Sequence, residues 1–84
     1  MSLLILLYNF FMFGKILKEL RIENGVTQKT ISEVLGCHQS MVTRWEKGEC
    51  EPTESVIRKT AVYFGVTADY LIGLEDDTGT KIGY

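Results

Sequence analysis

The 84-residue sequence predicts a single all-α domain, and three observations carry that prediction. Apolar residues recur at helical spacing, as at Phe13, Ile16, Leu17 and Leu20. Helix punctuation is regular: Thr27, Thr53 and Thr67 stand where helices should open, and Asn24, Gly25, Gly36 and Gly65 where they should close. The stretch from Thr27 to Gly48, TQKTISEVLGCHQSMVTRWEKG, reads as one helix, a tight turn at Gly36 and a second helix. A chain of this length builds one modest core and has no room for a domain plus an enzymatic cleft.

The spacing predicts a first helix over Phe13 to Asn24. Upstream lies LLILLYNFFMF, from Leu3 to Phe13, interrupted only by Asn9. It is short of the roughly 20 apolar residues of a membrane span, and it lacks the positive start and small-residue cleavage site of a signal peptide. Its composition permits strand or helix. Residues 1–12 are expected to be an apolar N-terminal extension. An arm this apolar seeks burial in its own groove or against another copy, so self-association is expected.

In the second helix Ile31, Val34 and Leu35 form the expected buried stripe. On a helical wheel of the third, Gln39, Ser40, Thr43, Arg44 and Lys47 fall within one arc of about 140°. Met41, Trp45, His38 and Val42 fill the other side. Gln, Ser, Thr and Arg are side chains that reach base edges and phosphates, and a helix has the width to enter a major groove. Further on, Pro52 and Thr53 open a fourth helix whose core positions are Ile57, Ala61 and Phe64. Thr67 opens a short fifth, with Asp69 supporting the cap and Tyr70 and Leu71 facing inward. Residues 75–84, EDDTGTKIGY, have little periodicity and are expected to be a flexible acidic tail. No ligand-sensing domain is expected after it, which leaves concentration, dimerisation or a separate protein as the means of control.

The formal charge of −2 sits poorly with a nucleic-acid binder until it is divided by segment. The surplus lies in residues 75–84, where Glu75, Asp76 and Asp77 face only Lys81. Lys29, Arg44 and Lys47 then leave a weakly positive outer surface on the central segment, which a symmetric dimer would double. Cys37, Cys50 and His38 fall short of the four ligands with paired spacings that a zinc site uses, so no metal is expected. Cys37 reads as a small buried apolar residue, and both thiols as reduced in a cytoplasm. His38 occupies the N-cap of the third helix, where it could cap, stack on the core or touch a phosphate.

The order of LKELRIENGVTQ, the LG turn, the SxVxRWEKG segment, Pro52 and FGVTADYLIGL resembles the Cro and lambda-repressor superfamily, often called the XRE family. The resemblance covers roughly residues 13–74. It implies a compact five-helix lambda-repressor-like DNA-binding domain over 13–74, with helices 2 and 3 as the helix-turn-helix and residues of about 38–47 as the recognition helix. It also implies a sequence-specific transcriptional regulator, expected to be a cytoplasmic repressor acting as a homodimer on a palindromic double-stranded operator. By the same resemblance Gln39, Ser40, Thr43 and Arg44 are the base-contacting set and Gln28 meets the DNA backbone; on their own chemistry and placement Lys29, His38 and Lys47 are expected to join Gln28 as phosphate contacts. Arg21 and Glu46 match positions that form an ion pair clamping the recognition helix to helix 1, where a solvated surface pair would contribute only about 0 to 1 kcal/mol. Ser32 takes a small-residue position where the two helices of the motif cross.

Three departures from the family pattern stand out. Thr30 replaces the usual Glu of the capping box. Glu49 and Glu51 occupy a loop where basic residues are common, and Glu54, Arg58 and Thr60 replace leucines of helix 4, predicting a looser fourth helix. A second function class is a protein-interaction or antitoxin-like module that keeps the fold without base reading. An enzyme is not expected: the sequence pairs no nucleophile with a base, no two carboxylates in a pocket, and has no phosphate-cradling Gly loop. No cofactor, membrane partner or small-molecule ligand is expected either.

Overall fold

The computed structural model describes residues 3–74, with side chains described from Phe11 onward. It contains α1 (Leu3–Glu23), α2 (Gln28–Leu35), α3 (Gln39–Glu46), α4 (Glu54–Phe64) and α5 (Ala68–Leu71). Among the described residues there is no strand. The expected acidic tail, residues 75–84, lies outside them.

The helix boundaries follow from local chemistry. Thr27, Thr53 and Thr67 each adopt extended backbone, and their hydroxyls accept from the N–H of Thr30, Val56 and Tyr70. Thr27 also donates its hydroxyl to that of Thr30 at 3.0 Å, so Thr30 supports the cap in place of the usual carboxylate. Gly36 closes α2 in the left-handed region at φ 70°, which turns the chain and lets the Cys37 N–H reach the Ser32 carbonyl at 3.0 Å.

The helices contact one another in a closed circuit, α1 on α3, α3 on α2, α2 on α4, α4 on α5 and α5 back on α1. Phe13 and Leu17 from α1, Ile31 from α2, Val42 from α3 and Leu71 from α5 are fully buried where these helices meet. Each contributes about 1.5 to 3 kcal/mol by leaving water. Ile16, Leu20, Leu35, Trp45 and Val56 complete the core.

Four expectations need correction. Helix 1 does not start at Phe13: α1 begins at Leu3 and runs unbroken through the expected 12/13 boundary, as helix-compatible Leu, Phe and Met without Pro allow. Val34 is exposed rather than part of the buried stripe of α2, because an eight-residue helix presents a narrow stripe that Ile31, Ser32 and Leu35 already fill. In α4, Ile57, Ala61 and Phe64 are only half-buried, packed against the core's edge, while Val56 and Thr60 point in. Glu54 and Arg58 are exposed and pair with each other, so they leave no gap in the core. Thr60 is fully buried without an orphaned hydroxyl, since it donates to the Val56 carbonyl at 2.7 Å.

Candidate nucleic-acid interface

The residues of α3 divide cleanly by exposure. Val42 and Trp45 are buried, and the Trp45 ring meets Phe13 edge-on with centroids 6.3 Å apart. Its indole N–H has no acceptor among the described residues, so Trp45 holds α3 by packing alone. Gln39, Ser40, Arg44 and Lys47 are exposed, and Thr43 is half-buried. Eight residues make a helix about 12 Å long and 10–12 Å wide, dimensions compatible with a B-DNA major groove about 12 Å wide.

What positions this row is a set of contacts between α3 and its neighbours. Gly14 brings the backbone of α1 against that of α3: a Cβ there would lie 1.9 Å from the Trp45 carbonyl oxygen. Near the far end of α1, the Arg21 Nε donates to Glu46 Oε2 at 2.8 Å and its Nη2 to Oε1 at 3.1 Å. The third Arg21 nitrogen donates to the Val26 carbonyl at 3.2 Å. Both side chains are mostly buried, 14% and 5% exposed, so this forked pair works in a poorly screened setting quite unlike a surface pair.

Gln28 extends the network in a way that the sequence pattern does not reveal. Its amide N–H donates to Glu46 Oε1 at 3.0 Å, and its carbonyl oxygen accepts from the Thr43 hydroxyl at 3.1 Å. Arg21, Glu46, Gln28 and Thr43 thus form one chain of hydrogen bonds joining α1, α2 and α3. The Thr43 hydroxyl also approaches the Gln39 carbonyl at 3.4 Å. Of the residues singled out from sequence, the network brings these four together and leaves Lys29, Gln39, Arg44 and Lys47 exposed around them. A glutamine at N1 whose carbonyl matches a threonine hydroxyl fifteen residues on is a tertiary coincidence, invisible to periodicity.

At the start of α3, His38 Nδ1 accepts from the Ser40 N–H at 3.2 Å, so the imidazole is seen in its capping role. The Ser40 hydroxyl lies 2.9 Å from the same nitrogen. Glu49 and Glu51 are exposed in the loop after α3. Cys37 and Cys50 are half-buried free thiols; burial pushes the Cys37 thiol up, with the Lys59 ammonium acting in the opposite sense. Among the described residues no three of His, Cys, Asp and Glu are grouped to hold a metal ion, and no helix is long and apolar enough to cross a membrane.

Comparison with known proteins places this geometry in a family. The family model described as helix-turn-helix matches residues 17–71. Two Bacillus subtilis proteins are similar: the SPbeta prophage-derived uncharacterized HTH-type transcriptional regulator YonR, 31% identical over 73% of this chain and 56% of its own length, and the HTH-type transcriptional regulator ImmR, 32% identical over 75% and 50%. The chain thus spans about half the length of the curated relatives it matches. Among solved structures, the restriction-modification controller protein C.AhdI of Aeromonas hydrophila superposes with a TM-score of 0.67 at 29% identity, covering 74% of this chain and 94% of that one. PlcR of Bacillus thuringiensis, crystallised with a peptide and DNA, superposes with a TM-score of 0.68 at 29% identity, covering 80% of this chain and 24% of that one. With the match covering residues 17–71, more than half of the chain, the chain belongs to the helix-turn-helix family, as a Cro and lambda-repressor-like (XRE) member.

Proposed function

We propose that this chain is a transcriptional regulator that binds double-stranded DNA by inserting α3 into the major groove. The observation that carries the proposal is the exposed polar row of α3 standing on a helix fixed from behind by Gly14 and by the Arg21–Glu46 pair. A reading helix must present its side chains in one register, and a helix clamped at its C-terminal end and along its buried face does so. Gln39 and Arg44 are the principal base readers in this account, with amide and guanidinium groups free to pair with adenine and guanine edges. Ser40 and Thr43 join them at shorter range, Thr43 from a position set by Gln28. Lys29, Lys47, His38 and the second amide N–H of Gln28 lie around the row as phosphate contacts. The protein would act in the cytoplasm as a repressor, as a homodimer on a palindromic site, without catalysis. The names of its relatives support regulation of transcription, and the PlcR structure supports DNA as the ligand of this fold.

Selection of bound duplexes from a random pool tests the proposal. The expected product is a site with dyad symmetry, its half-sites about 10 bp apart centre to centre, bound with an affinity that falls steeply as salt rises. Selection that enriches no sequence, with no duplex retained even at low salt, would favour the protein-interaction alternative.

A further inference from the structure

Where α2 lies beside α4, Val34, Arg58, Lys59, Val62 and Tyr63 line an open depression of about 380 Å³. Its floor is unusually apolar for a surface, with Val34, Val62 and Tyr63 exposed by 38%, 78% and 43%. Its rim carries two cations. Arg58 meets Glu54 only in an exposed pair one helical turn away, and Lys59 reaches toward the turn at Gly36 and Cys37. None of these five residues belongs to the α3 row or to the network behind it. An apolar floor with a basic rim fits a segment that carries carboxylates beside large apolar side chains.

We propose that this groove holds residues 75–84 of the same chain. That segment supplies Glu75, Asp76 and Asp77 for the rim and Ile82 and Tyr84 for the floor. Reach favours it as well. The segment follows Leu74, just after α5, which packs on α4, and ten residues extend up to roughly 33 Å. The 11-residue α4 is only about 16 Å long. A short tether gives an effective concentration in the millimolar range, so even a weak contact is populated.

NMR of the full chain tests this through contacts between the Ile82 methyl or Tyr84 ring and the Val34 and Val62 methyls or the Tyr63 ring. Those contacts are expected in a sample at low salt. They should weaken several-fold in the double variant Arg58→Glu/Lys59→Glu and return when Glu75→Lys, Asp76→Lys and Asp77→Lys are added to it. Raising salt to about 1 M, where the Debye length falls to about 3 Å, should also weaken them. Absence of any contact between residues 75–84 and the groove overturns the proposal, as do contacts indifferent to both charge reversal and salt. Contacts seen only between labelled and unlabelled chains in a mixed sample would assign the groove to a second copy and overturn it equally.

Discussion

At residue scale, the docking of α3 turns on Gly14. Helix propensity alone favours alanine there by about 0.5 to 1 kcal/mol. Against that, the added methyl would sit 1.9 Å from the Trp45 carbonyl oxygen, and the obstacle is backbone, which cannot swing aside. We therefore expect Gly14→Ala to lower stability by about 1 to 3 kcal/mol in denaturant unfolding, the range seen for overpacked cores. An unchanged or raised midpoint would mean that the two helices are not in backbone contact. The sequence offers no signal for this role, because a glycine inside a helical pattern looks like a weak point rather than a contact. Thr60 teaches a related lesson: its polarity argues against burial until the Val56 carbonyl four residues back is seen to take its proton.

Among the elements, the buried fork of Arg21 and Glu46 ties α1 to α3, with Gln28 adding α2. Replacing Glu46 by alanine leaves a guanidinium and an amide facing an apolar gap, and breaking a buried pair in this way costs about 3 to 5 kcal/mol. The double variant Arg21→Met/Glu46→Leu should lose less than Glu46→Ala, since it strands no charge. Thermal denaturation of the three proteins decides this, and equal losses for single and double variants would contradict a buried, mutually dependent pair. How far these elements can be read from sequence depends on what fixes them. Threonine caps and the left-handed Gly36 and Gly65 act within a few residues, so the boundaries of α2 and α4 are legible. The rotation of α4, which sends Val56 and Thr60 inward ahead of Ile57 and Phe64, is set by its neighbours α2 and α5 and is not. The start of α1 is illegible for a different reason, because an unpatterned apolar run satisfies helix and strand equally.

For the whole molecule, Phe13 is the first fully buried side chain among those described, which start at Phe11, and Phe11 itself is 60% exposed. Deleting residues 1–11 is therefore expected to leave the five-helix core folded, with a melting temperature within a few degrees of the full chain. It should also reduce self-association in sedimentation, because the deleted stretch is the most apolar in the sequence. A truncated chain that fails to fold would show that the first turns of α1 belong to the core. Sedimentation unchanged by the deletion would place the contact between copies elsewhere.

The central claim is that α3 reads bases, and Arg44 tests it most directly because it is exposed on the row and takes no part in the network behind it. The measurement is the affinity of Arg44→Ala for the selected site and for random duplex, each at two salt concentrations. Base reading predicts a loss of about 1 to 3 kcal/mol on the selected site, relaxed preference at one position and little change on random duplex. A uniform loss on every sequence, with a salt slope smaller by about one unit, would make Arg44 a phosphate contact. Unchanged binding to both duplexes would contradict the account.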